Sequence, residues 1–76
     1  MKAPEPHAVL AAITRLGGDG YVAEYDLLLD LPGDRRTAGT GLRRAVNQGL
    51  VLERRGPDGR RYVAVASDGW ALLDAA

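Results

Sequence analysis

The side chains with the most chemistry to offer in this 76-residue chain are arginines, and they come in pairs. Arg35-Arg36, Arg43-Arg44, Arg54-Arg55 and Arg60-Arg61 all fall within residues 35–61. A guanidinium presents its N–H donors in a planar fork that matches carboxylate and phosphate oxygens. Four such pairs in one short window predict a surface that faces an anion. The formal net charge of zero hides this distribution. Residues 1–34 set Lys2 and Arg15 against six carboxylates, a net of −4. Residues 35–61 set eight arginines against Glu53 and Asp58, a net of +6, and residues 62–76 carry only Asp68 and Asp74, a net of −2. Thr37, Thr40, Asn47 and Gln48 lie among the arginines and add neutral hydrogen-bonding groups.

Catalytic chemistry finds no comparable set. His7 is the sole histidine and Ser67 the sole serine, and there is no cysteine. A nucleophile needs an adjacent base; His7 has no evident partner, and Asp68 beside Ser67 reads better as a cap. Gly39-Thr40-Gly41 lacks the Gly-Lys-Thr/Ser ending of a phosphate-binding loop, and Gly17–Gly20 holds a single acid where a calcium loop needs several. The expectation is a protein that is not an enzyme and takes neither cofactor nor metal. The absence of cysteine fits a reducing compartment. The apolar stretches at Val9–Ile13 and Leu27–Leu29 are far too short to span a bilayer. A cytoplasmic protein without membrane contact is expected.

The elements that must position the arginines follow from spacing. Pro6 suits the first turn of a helix, and Val9, Leu10, Ile13 and Leu16 recur at helical intervals until Gly17-Gly18 stops it. Residues 1–6 are expected to be a flexible N-terminus and 7–76 one domain, the size a chain this short allows. Tyr21-Val22 suggests a very short strand. Ala23–Leu31 reads as a second helix burying Leu27, Leu28 and Leu31, ended by Pro32. Thr37 is the expected N-cap of a third helix, Ala38–Gln48, stopped by Gly49. Its inward stripe is Ala38, Leu42, Ala45 and Val46, and its outer face is Thr40, Arg43, Arg44 and Asn47. Gly39 and Gly41 each cost about 1 kcal/mol of helix propensity relative to Ala. They would also let the helix backbone approach a surface closely. Leu50–Arg55 and Arg60–Val65 read as two strands joined by the turn Gly56-Pro57-Asp58-Gly59, with Leu50 and Leu52 among the residues that pack inward. Ser67-Asp68 caps a final amphipathic segment, Gly69–Ala75, whose apolar side is Trp70, Leu72 and Leu73.

The run Leu42-Arg43-Arg44-Ala45-Val46-Asn47-Gln48-Gly49-Leu50-Val51, followed by Glu53-Arg54-Arg55, resembles the end of the recognition helix in MarR-type and PadR-type transcriptional regulators. Asp58-Gly59-Arg60-Arg61-Tyr62-Val63 is similar to their wing tip and returning strand, and Ser67-Asp68-Gly69-Trp70 to the segment beyond it. The resemblance spans about residues 7–75. It implies an α+β winged helix-turn-helix fold: a three-helix core, a two-stranded β-hairpin wing and a short C-terminal helix. It also implies a DNA-binding protein, either a transcriptional regulator or an accessory factor. Residues 37–48 would enter the major groove, and the wing at 50–65 would lie on the backbone or minor groove. Thr40, Arg44 and Asn47 would face base edges, with Gln48 flanking them on the DNA-binding face and Arg43 at a base or a phosphate. Arg35 and Arg36 would meet phosphates, together with Thr37 and the helix N-terminal N–H groups, and Arg60 and Arg61 would act from the wing.

A single domain of this size contacts few base pairs, so a homodimer or a recruiting partner is expected alongside double-stranded DNA. Trp70, Leu72 and Leu73 or the acidic first half would supply that contact. The alternative reading is a winged-helix protein-interaction module within a larger complex, supported by the acidic half and by Tyr21, Tyr25 and Trp70 as interface anchors.

Overall fold

Helical spacing, glycine stops and one hairpin turn produce four helices and three strands. In the computed structural model, which describes residues 2–75, the order is α1 (Pro6–Gly17), β1 (Val22–Ala23), α2 (Glu24–Asp30), α3 (Arg35–Asn47), β2 (Val51–Arg55), β3 (Arg61–Val65) and α4 (Ser67–Asp74). The sheet is antiparallel, with β3 between β1 and β2. The hairpin is therefore not two-stranded on its own. Val22 and Ala23 pair with Val63 and Tyr62 and extend it to three strands. The result is a small α+β fold.

One core joins the helices to one face of the sheet. Val9, Leu10, Ala12 and Ile13 of α1 are fully buried, as is Leu27 of α2. Ala38, Leu42 and Ala45 of α3 meet them, and Val51, Val63 and Val65 close the core from the sheet. Each large aliphatic side chain hidden in this way contributes about 1.5–3 kcal/mol. Residues opposite one another in a ladder share a face. The pairs Val51–Val65 and Glu53–Val63, with Val22 beyond, therefore form the helix-facing side. Leu52, Arg54, Tyr62 and Ala64 form the other. Leu52 is 49% exposed, against the expectation that it packs inward; Val51 takes that place.

The third helix begins earlier than its sequence suggests. Asp34, not Thr37, is the N-cap: its carboxylate accepts from the Thr37 N–H at 2.7 Å, and its carbonyl accepts from Ala38 N at 2.9 Å. Arg35 and Arg36 thus belong to the first turn of α3. At the other end Leu50 N donates to Ala45 O and Gly49 N to Val46 O, both at 3.0 Å, with Gly49 at φ 76°. This double closure is the Schellman motif, and it satisfies carbonyls that the helix end would leave bare. The hairpin turn closes by Gly59 N to Gly56 O at 3.0 Å, with Gly59 at φ 81°. Helix α4 starts at Ser67, two residues before the expected Gly69. Trp70 N bonds Ala66 O at 2.9 Å, and Ala66 is the cap without a side-chain bond.

The two glycines of α3 differ in kind. Gly41 is buried, and a Cβ there would lie 2.5 Å from Pro4 Cγ and 2.8 Å from Pro4 O. The surface this glycine approaches is the chain's own N-terminal segment, where Pro4 is buried. A Cβ on Gly39 would meet nothing within 4 Å. Gly39→Ala is expected to stabilise the fold by about 0.5–1 kcal/mol, the helix-propensity gain. Gly41→Ala, which gains the same propensity, is expected to lower stability because Pro4 must move. Urea unfolding midpoints of the two variants, on opposite sides of the wild type, check this.

Candidate functional site

The basic window of the sequence folds into α3 and the β2–β3 hairpin, and strand alternation keeps its arginines from all sharing one face. At about 100° per residue, Arg36, Thr40, Arg43 and Asn47 fall in one narrow stripe of α3 opposite Ala38, Leu42 and Ala45. Arg36, Thr40 and Asn47 are exposed. Arg44 flanks the stripe and is exposed, and Gln48 is exposed at the C-cap. Arg36 therefore joins the outer face of the helix instead of preceding it. The Thr40 hydroxyl donates to Arg36 O at 3.1 Å, the back-bond typical of threonine within a helix. Thr37 is half-buried, and its N–H is already bound to Asp34. That donor is not open to a phosphate, because the carboxylate of Asp34 occupies it. The same bond holds the Asp34 carboxyl below its usual range.

Arg43 is the residue the structure treats most differently from expectation. Its Nη1 and Nη2 donate to Glu53 Oε1 and Oε2 at 3.2 and 3.1 Å. Arg61 Nη1 stands 3.7 Å from the same Glu53 Oε2. Glu53 lies on the helix-facing side of β2, one step beyond the buried Val51, and from there reaches α3. Its hydrogen bonds from Arg43 hold the Glu53 carboxyl below its ordinary value and push the Arg43 guanidinium up.

A second group of arginines surrounds an open cleft of about 660 Å³ between α2, the start of α3 and the hairpin. Arg35, Arg60 and Arg61 line it with Tyr25, Glu24, Ala23 and Leu28. The Arg35 guanidinium lies over the Tyr25 ring, 5.1 Å from its centroid. The remaining pair splits, as strand alternation requires. Arg54 crosses the outer sheet face to lie over Tyr21, also at 5.1 Å, and Ala64 on that face is buried. Arg55 Nη1 donates to Gly59 O at 2.7 Å and braces the turn. Asp58 stays within the hairpin. Its carboxylate accepts from Arg60 N at 3.0 Å and from the Tyr62 hydroxyl at 2.7 Å, which lowers the Asp58 carboxyl and raises the Tyr62 phenol.

The sequence-predicted residues thus form two sets, the α3 stripe and the arginine cleft, with Arg43 and Arg61 drawn onto Glu53. Residues that sequence reasoning undervalued are Glu53 and Asp34, counted only as charges. A signal existed for Asp34, which stands three residues before Thr37 at a Pro-Gly break. Among the described residues no cluster of three histidine or acidic side chains could hold a metal, and no helix is long and apolar enough to cross a membrane. Trp70 and Leu73 pack against the core, leaving Leu72 the exposed member of that trio. No protein-family model and no curated protein matches the chain.

Glu53 provides a pH test of the clamp. Because its folded-state pKa is depressed, its contribution to stability is present above its ordinary value of 4.5 and is lost as pH falls through the lower folded value. Arg43→Ala is expected to raise the Glu53 titration toward 4.5. A carboxyl-carbon NMR titration that left Glu53 unmoved in the variant would contradict the pairing.

Proposed function

We propose that this chain is a winged helix-turn-helix DNA-binding domain, acting as a transcriptional regulator or accessory factor, with α3 as its recognition helix and the β2–β3 hairpin as its wing. The observation that carries the reading is the exposed stripe Arg36, Thr40 and Asn47, flanked by Arg44, on a helix whose other side is locked into the core. The order α1-β1-α2-α3-β2-β3, with β1 paired to β3, is compatible with that fold.

A helix of this diameter fits the major groove of B-DNA. Arg36 and Arg44 offer bidentate donors to guanine, Asn47 offers both donor and acceptor to adenine, and Thr40 and Gln48 add single contacts. Arg35 and Arg60 around the cleft suit backbone phosphates, which set register without reading sequence, whereas Arg61 stands beside Glu53. Residues 35–61 carry a net of +6 although the chain is neutral, while Glu24 of the acidic first half lies in the cleft among Arg35, Arg60 and Arg61. A second copy or a partner protein would enlarge the short site one domain can read.

The protein-interaction reading keeps one specific support. Tyr25 and Leu29, on the outer side of α2, are 54% and 61% exposed.

Fluorescence anisotropy with a mixed-sequence duplex separates the two. Arg36→Ala and Arg44→Ala are each expected to weaken binding at low salt with circular dichroism unchanged. For about five phosphate contacts, log K against log salt has a slope of roughly −4 to −5. A folded protein that binds no duplex at low salt would sink the DNA reading and leave the α2 surface as the stronger candidate.

A further inference from the structure

Residues 35–61 contain two carboxylates, and they are used in opposite ways. Asp58 spends its oxygens inside the hairpin, on Arg60 N and the Tyr62 hydroxyl. Glu53 spends both of its oxygens on guanidiniums of the basic side, one from α3 and one from β3. A phosphate would offer Arg43 and Arg61 the same thing: two acceptor oxygens sharing negative charge. The Arg43 pairing runs end-on through both Nη atoms, the edge that a phosphate or a guanine would also engage. Taking either through that edge requires Arg43 to leave Glu53, whose bonds leave only the Nε–H side of the guanidinium open. Departure would also strand a carboxylate, 28% exposed, facing the phosphates of a bound duplex.

We propose that Glu53 is a specificity-determining residue that occupies Arg43 and Arg61 in place of backbone phosphate. This rests on the DNA-binding reading above and deepens it. Sequence-independent affinity grows with the number of phosphates neutralised, whereas discrimination comes from base edges. Withholding two arginines lowers binding to arbitrary duplex and leaves the contacts of Arg36, Thr40, Arg44 and Asn47 in place. The ratio of specific to non-specific binding rises accordingly, and that ratio is what a genome full of competing sites selects. The clamp also fixes the hairpin to α3, so helix and hairpin approach the duplex as one rigid surface.

The experiment compares wild type with the isosteric Glu53→Gln on a mixed-sequence duplex about two helical turns long, over a series of salt concentrations. Glu53→Gln is expected to bind more tightly at low salt, with a slope steeper by roughly one to two, at about −0.9 per added phosphate. The double variant Arg43→Ala/Glu53→Gln is expected to return about half of that steepening, since one of the two released arginines is then missing. Independently of any variant, the Arg43 guanidinium NMR signals of the wild type are expected to stay in place during duplex titration while those of Arg36 and Arg44 shift. A Glu53→Gln slope equal to or shallower than that of a binding wild type overturns the clamp alone. So do Arg43 signals that move as far as those of Arg44. Failure of both proteins to bind at low salt overturns the DNA reading and the clamp with it.

Discussion

Everything on the basic side depends on how closely α3 seats against the core, and that closeness comes from small side chains. Its buried face is Ala38, Gly41, Leu42 and Ala45, with a single large residue among the four. Such a face contributes little hydrophobic free energy by itself. It compensates by proximity, since dispersion contacts fall off steeply with a gap of even half an ångström. Gly41 is the extreme case, admitting Pro4 where no Cβ would fit. The N-terminal segment therefore wedges behind the helix whose opposite face carries the arginines.

Because its packing is thin, α3 relies on its ends. Asp34 closes the first turn with a carboxylate, and Gly49 with Leu50 closes the last through two backbone bonds. Leu50 then does double duty, since its carbonyl accepts from Ala66 at the entrance to α4. The exit from α3, the start of β2 and the start of α4 are thus tied within a few residues. The acids at this surface follow the same economy. Asp34 caps, Asp58 shapes the turn and Glu53 links sheet to helix, so these three negative charges each have a structural bond to make.

Helix α1 was legible because Pro6 and Gly17-Gly18 bracket an unambiguous apolar period. The start of α3 was harder. Asp34 and Thr37 are both good caps, and only the three-dimensional closure of one carboxylate on one N–H decides between them. Residues Leu50-Val51-Leu52 are apolar at three consecutive positions, so alternation cannot choose a face, and a one-residue slip exchanges inside for outside. The Schellman turn settles it by setting where the strand begins. The candidate site was legible as a list of residues but not as a set of pairings. Glu53 reaches Arg43 across ten positions only because the hairpin folds back beside α3, and no local pattern encodes that distance.

The aromatic residues divide the molecule optically. Trp70, the sole tryptophan, packs against the core from α4. All three tyrosines stand beside arginines instead: Tyr21 beneath Arg54, Tyr25 beneath Arg35, and Tyr62 sharing a cleft with Arg60. Tryptophan emission consequently follows the integrity of the core, while tyrosine absorbance and emission follow events on the charged side. The chain carries two intrinsic reporters, one for the core and one for the arginine contacts at the surface, without any label being introduced.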